Sequence, residues 1–328
     1  MSPFSDRLIA QYVDEILQGD KIYLSKAITL LESQHIEDRS IGLEILEKLM
    51  PFTKKSIRIA ITGAPGVGKS SFIEIWGNRL LETHSQKLAV LAIDPSSQTT
   101  QGSILGDKTR MQTLSKHKRA YIRPSPAGQT LGGVTAHTRE CILLCEAAGY
   151  DLILIETVGV GQSEIAARSM VDFFLLLVLP GSGDELQGLK RGIVEVADWI
   201  AISKADGENK IRAEQAESDY KNALHLYTLP ESGWQPGVST CSSFTGDGLD
   251  LIETQLKKYV ALTQLNGYWD KQRQDQHLAW MREIIDIELK NTFLQKPAVQ
   301  HLLPLIEQDV LHRRISPIKA ARQLLGLK

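Results

Sequence analysis

Gly63-Ala64-Pro65-Gly66-Val67-Gly68-Lys69-Ser70 fits the phosphate-binding pattern G-x-x-x-x-G-K-[ST] at every fixed position. The β-branched run Ile57 to Thr62 precedes it, and the helix-compatible stretch Ser71 to Leu81 comes after it. That is the strand–loop–helix context the pattern requires. Glycines let successive backbone N–H groups turn inward around a polyphosphate, and the start of the adjoining helix adds partial positive charge. In such a loop the Lys69 ammonium reaches the β- and γ-phosphate oxygens, and the Ser70 hydroxyl is a ligand for Mg²⁺. The loop from Gly63 to Ser71 therefore implies a nucleoside triphosphate site.

Outward from the loop, apolar runs alternate with amphipathic stretches. The runs are Ile57–Thr62, Leu88–Ile93, Leu152–Glu156, Phe173–Leu179, Trp199–Ser203 and Val238–Cys241. Such alternation predicts an α/β P-loop NTPase fold, a mostly parallel sheet flanked by helices, with its active groups at the carboxyl ends of the strands. Before it, Leu8, Ile9, Tyr12, Val13, Ile16 and Leu17 recur at helical spacing, as do Ile41, Ile45, Leu46 and Leu49, with Gly19-Asp20 marking a break. After about Val260 the strand signals stop. Leu278, Met281, Ile285 and Leu289 form a helical stripe widened by Trp280, Ile284 and Phe293. Pro297 and Pro304 punctuate the remainder of the chain, and Ser316-Pro317 starts a last short helix. The expected organisation is an N-terminal helical segment (1–51), a nucleotide-binding domain (52–260) and a C-terminal helical arm (261–328). The stripe either packs back on its own domain or pairs two subunits.

Composition narrows the class. The chain has 328 residues, 42% hydrophobic and 23% charged, enough for a sizeable core. A net charge of −2 argues against a nucleic-acid partner held by a broad basic surface. Cys141, Cys145 and Cys241 lack C-x-x-C spacing and read as buried thiols. The N-terminus has no charged-then-apolar leader, and the run Phe173 to Leu179 is too short to cross a bilayer. These features lead us to expect a cytoplasmic protein without a membrane partner.

Further motifs sit at the strand ends in chain order. Asp94 ends the second run, well placed for Mg²⁺ directly or through water, and Asp107 in the next loop is a second candidate or a solvated acid. The third run ends in Glu156-Thr157-Val158-Gly159, where GTPases carry Asp-x-x-Gly. There the acid anchors Mg²⁺ and the glycine amide senses the γ-phosphate. Ser203-Lys204-Ala205-Asp206 resembles the Asn-Lys-x-Asp motif, whose carboxylate accepts from guanine N1 and N2 while the lysine stem lies over the base. Ser203 stands where Asn is usual, so the stabilising amide is missing or replaced by a hydroxyl. Cys241-Ser242-Ser243 falls where a backbone amide often meets guanine O6. Four elements in chain order favour GTP over ATP. The expected nucleotide-binding set is Gly63, Ala64, Pro65, Gly66, Val67, Gly68, Lys69, Ser70, Ser71, Lys204, Asp206, Cys241, Ser242 and Ser243, with GTP/GDP and Mg²⁺ as cofactors.

Longer strings are more specific. Ala92 to Ser97, Gly102 to Met111, Glu156 to Glu164 and Gly183 to Gly192 together resemble the MeaB/ArgK family of P-loop GTPases, which includes the human methylmalonic aciduria type A protein. The resemblance runs over most of the chain. It implies a G-protein chaperone that gates adenosylcobalamin loading, protects methylmalonyl-CoA mutase or a related acyl-CoA mutase, and is stimulated by that partner. It also implies that Ser70, Asp94, Asp107 and Glu156 form the Mg²⁺-linked set, and that the arm pairs subunits into a homodimer. The expected catalytic residues are Lys69, Glu156, Gly159 and Lys190. Lys190, beside Asp184 in a third switch loop, either stabilises charge on the transferring phosphoryl group or is a solvated cation. No glutamine directly succeeds Gly159; Gln162 is the nearest candidate for orienting water. Older names in this family describe a P-loop kinase linked to basic amino-acid transport, which is the alternative. A metal-delivery GTPase would call for His-rich tracts or paired Cys ligands, and the eight histidines are scattered.

Overall fold

Apolar runs too hydrophobic to face water on either side pair into a parallel sheet. In the computed structural model, which describes residues 3–33, 35–94, 111–126, 131–157, 166–181 and 191–326, the strands are β1 (Ile57–Gly63), β2 (Leu88–Asp94), β3 (Ala120–Pro126), β4 (Leu152–Thr157), β5 (Phe173–Val178), β6 (Trp199–Ile202) and β7 (Gly237–Thr240). Their order is β3-β2-β4-β1-β5-β6-β7, and each pair runs parallel. Every residue of β4 and β5 is buried, as expected where helices cover both faces.

The helices are α1 (Pro3–Leu17), α2 (Lys21–Glu32), α3 (Ile36–Leu49), α4 (Lys69–Thr83), α5 (Leu131–Ala147), α6 (Arg191–Glu195), α7 (Lys210–Leu224), α8 (Leu249–Leu265), α9 (Tyr268–Leu294), α10 (Pro297–Leu311) and α11 (Pro317–Leu325). Phe72, Ile73, Trp76 and Leu80 of α4 and Leu249, Ile252 and Leu256 of α8 join Ile59, Ile61, Leu154 and Leu175 in one core. The break at Gly19-Asp20 is real: Asp20 caps α2, accepting from the amides of Ile22 (2.7 Å) and Tyr23 (2.9 Å). Helices α1 to α3 pack with α5, burying Ile9, Ile16, Leu24, Ile28, Leu31, Ile45 and Leu49 completely. The Arg39–Glu140 pair (2.9 Å) and the Arg123–Glu32 pair tie them to α5 and β3.

One strand, β3, is absent from the apolar pattern of the sequence. Pro124 and Pro126 and the charged Arg123 argue against it. It forms because β3 is the last strand in the order and pairs with β2 alone, and an edge tolerates prolines that cannot donate to a second neighbour.

An ionic framework occupies the leading ends of the strands. Arg58 of β1 makes two 2.9 Å bonds to Glu146 of α5. Asp172, fully buried before β5, accepts the Arg58 amide (2.8 Å) and the Arg273 guanidinium of α9 (2.9 and 2.7 Å). Asp198 before β6 pairs with Arg168 (2.5 Å) and accepts the Phe174 amide (2.8 Å). The trailing ends are thereby left for chemistry.

The chain divides into two compact units, Met1–Gln276 and His277–Lys328. In the second, Val299, Ile306, Ala320 and Leu324 form a core between α10 and α11. Pro304 lies inside α10 rather than ending it; packing of Val299 and Ile306 offsets the lost helical bond. Ser316 caps α11, accepting from the Lys319 amide (3.2 Å). The stripe Leu278, Met281, Ile284, Ile285 and Leu289 of α9 stays 41–64% exposed. No described helix is long and apolar enough to cross a membrane.

Candidate nucleotide site

The loop between β1 and α4 sits at the middle of the sheet, because β1 lies between β4 and β5. Gly63 has φ 145°, and a Cβ there would stand 2.3 Å from the Leu177 carbonyl oxygen of β5. Only glycine lets the loop leave the strand so close to its neighbour. Gly68, at φ 102°, turns the chain into α4.

Lys69 is buried, and its ammonium donates to the carbonyls of Gly63 (2.8 Å) and Ala64 (3.2 Å), so the charge is held at the loop itself. Ser70 lies in the first turn of α4, and its hydroxyl donates to Glu156 Oε1 at 2.7 Å. Ile61 of β1 pairs in register with Glu156 of β4, which brings that carboxylate to the loop from the neighbouring strand. Thr157 then donates to Thr62 (2.8 Å), fastening the two strand tips. Asp94 ends β2 one strand further on; its backbone alone is described. One hydroxyl and one carboxylate converging at 2.7 Å suit Mg²⁺, which takes one or two carboxylates and fills its remaining positions with water and phosphate oxygens. Among the described residues no group of three His, Cys, Asp or Glu able to hold a metal occurs. Asp107, Gly159 and Lys190 lie outside the described residues, as do Asp184 and Gln162.

The other half of the site comes from the ends of β6 and β7. Ser203 is buried, and its hydroxyl lies 2.9 Å from the Val67 carbonyl and 3.1 Å from that of Val178. The hydroxyl at the position where the motif usually carries asparagine thus holds the loop directly. Lys204 adopts φ 54°, a left-handed conformation costly for a residue with a side chain. Its stem crosses the loop, and the ammonium donates to the Gly66 carbonyl at 2.8 Å. Ser203 and Lys204 therefore hold consecutive carbonyls of the loop that Gly63 begins.

Asp206 is half-buried and accepts a short hydrogen bond from the Ser242 hydroxyl through Oδ2. Its Oδ1 has no partner among the described residues. Cys241 joins β7 to β6, donating its amide to the Ile202 carbonyl (2.8 Å) and accepting the Ala205 amide (3.0 Å). Its thiol is buried and pushed up to about 12 by that burial, so it contributes backbone rather than a thiolate. Ser243 is half-buried, and its N–H finds no acceptor among the described residues. The Ser242 amide goes to the Asp247 carbonyl (3.0 Å) and those of Phe244 and Thr245 to the Ser242 hydroxyl. The structure thus gathers Lys69, Ser70 and Glu156 on one side and Ser203, Lys204, Asp206 and Ser242 on the other, around the same loop. The sequence singles out Ser242 for its backbone alone. The orienting bond from its side chain to Asp206 has no sequence signal, and only tertiary contact reveals it.

Residues 24–298 match the family model described as methylmalonyl Co-A mutase-associated GTPase MeaB. A "Putative GTPase" of Caulobacter vibrioides is 47% identical, covering 95% of each chain. The mouse mitochondrial "methylmalonic aciduria type A homolog" is 41% identical over 99% of this chain and 80% of its own. A crystal structure described as "LAO/AO transport system kinase" superposes with a TM-score of 0.77 at 33% identity, covering 99% of this chain and 97% of its own. Since likeness of this degree extends over nearly the whole length and takes in every part of the site, the chain belongs to the MeaB family of P-loop GTPases.

Proposed function

We propose that the chain binds GTP with Mg²⁺ at this site, hydrolyses it slowly, and uses the nucleotide cycle to gate adenosylcobalamin loading of methylmalonyl-CoA mutase or a related acyl-CoA mutase. The observation that carries guanine selection is the Asp206 carboxylate, with one oxygen occupied by Ser242 and the other without a protein partner among the described residues. Adenine lacks the paired donors such a carboxylate needs, and a site that leaves it unpaired rejects the wrong base. Lys69 binds the β- and γ-phosphates, and the Ser243 amide meets guanine O6. Ser70 and Glu156, with Asp94 and Asp107, would hold Mg²⁺, which when bound neutralises charge on the phosphates. Gly159 senses the γ-phosphate, and Lys190 stabilises charge on the phosphoryl group in transfer. The names of the matched family and of the mouse relative support the mutase partner. Three buried free thiols suit a reducing, cytoplasmic setting. The uncovered stripe on α9 supports pairing of two copies through the arm.

The test is Mg²⁺-dependent hydrolysis of GTP against ATP, with and without methylmalonyl-CoA mutase. Slow GTP turnover that rises with the mutase, without ATP turnover, is expected. GTP turnover indifferent to the mutase would sink the chaperone role while leaving the GTPase. Preference for ATP would remove Asp206 as the base reader and bring forward the kinase reading, which the description of the superposed crystal structure favours.

A further inference from the structure

Phe244 is 91% exposed, more than any other large hydrophobic side chain among the described residues. The turn that carries it is tightly bonded. The amides of Phe244 and Thr245 both donate to the Ser242 hydroxyl oxygen at 3.1 Å. Gly246 N–H donates to the Ser242 carbonyl and Ser242 N–H to that of Asp247, each at 3.0 Å, while the Thr245 hydroxyl donates to the Asp247 carboxylate at 2.7 Å. The same Ser242 hydroxyl gives its proton to Asp206. A single oxygen therefore sets both the carboxylate and the backbone of the residue bearing the ring. Leaving a phenyl ring in water forgoes the gain of burying it. A fixed turn that does so beside a base-reading carboxylate calls for a flat apolar occupant of that site.

We propose that Phe244 stacks on the base that Asp206 reads. This deepens, and rests on, the guanine-nucleotide reading of the site. The two residues divide the work. Stacking accepts any base because every base has a π-face, so Phe244 adds affinity without selecting. Asp206 selects by hydrogen bonding. The ring also shields the Asp206 contact from water, where such bonds are weakest.

Calorimetric binding of GDP and XDP, each with Mg²⁺, and of inorganic tripolyphosphate separates the possibilities. Phe244→Ala should bind GDP about ten-fold more weakly and lose XDP affinity by the same factor, while tripolyphosphate binds as to the parent protein. Phe244→Trp should restore GDP affinity, and its added indole emission should be quenched by GDP beyond any change in the parent. Unchanged GDP affinity in Phe244→Ala would overturn the proposal and leave the ring to a protein partner. Loss of tripolyphosphate affinity as well would also overturn it, since the substitution would then act through the fold of the loops. If the parent protein binds no guanine nucleotide, the reading beneath it falls first.

Discussion

At the scale of single residues, Ser203 stands where asparagine is usual and ties β6 to the loop after β1. A hydroxyl is shorter than a carboxamide, yet β6 ends close enough to the phosphate loop for it to reach the Val67 carbonyl at 2.9 Å. Ser203→Ala leaves that carbonyl without its donor, at a cost of about 1–3 kcal/mol. Because the bond is to the loop and not to the base, affinity for GDP and for XDP should fall together, by about ten-fold. Asp206→Asn should instead exchange the preference from GDP to XDP. Nucleotide competition measurements check both; a Ser203→Ala protein with base-dependent loss would contradict the loop-tether role.

At the scale of elements, α4 and α8 flank the nucleotide loops and are joined outside the site by a small ionic group. His84, the cap residue of α4, lies 2.9 Å from Glu253 of α8, to which Lys257 also donates at 2.6 Å, and Arg79 pairs with Asp250 nearby. Burial raises the Glu253 carboxyl, but the bonds from Lys257 and His84 outweigh it and hold it below the ordinary glutamate range. A lowered carboxylate stabilises the fold above its unfolded value and loses that contribution as pH falls through the folded value. Glu253→Gln should therefore cost about 1 kcal/mol at neutral pH. The two proteins should converge in Tm as the solution is taken below about pH 4. Thermal melts across pH read this directly, and a gap that persists in acid would assign the cost to packing.

At the scale of the whole molecule, the sheet separates stability from chemistry. The leading strand ends carry the buried Arg58–Glu146 and Arg273–Asp172 pairs, the latter reaching the first turns of α9. Removing one member of such a pair strands a buried charge, so these residues tolerate little change. Beyond Gln276 the second unit has its own core between α10 and α11, which leaves the α9 stripe uncovered by them. If two copies pair through that stripe, Leu289→Glu should convert a dimer into a monomer in light scattering while the melting of the first unit is retained. A parent protein that is monomeric at micromolar concentration would refute the pairing.

Much of this protein is written in local pattern. The phosphate loop, six of the seven strands, the break before α2 and the start of α11 come from spacing, propensity and cap chemistry, which act over a few residues. So does the nomination of Lys69 and Ser70, which close the glycine-rich loop and open α4, and of Glu156, Lys204 and Asp206, which stand at or just beyond the ends of legible strands. What required the folded chain was everything decided between strands distant in sequence. The edge position that admits Pro124 and Pro126 into β3 is a matter of sheet order; the Ser203 hydroxyl finds Val67 only when β6 meets the loop after β1, and the Ser242 hydroxyl finds Asp206 only when the ends of β6 and β7 lie side by side. A side chain's bonding partner across more than a hundred residues, as from Ser203 to Val67, leaves no periodic trace, because hydrogen bonds are satisfied in space and not along the chain.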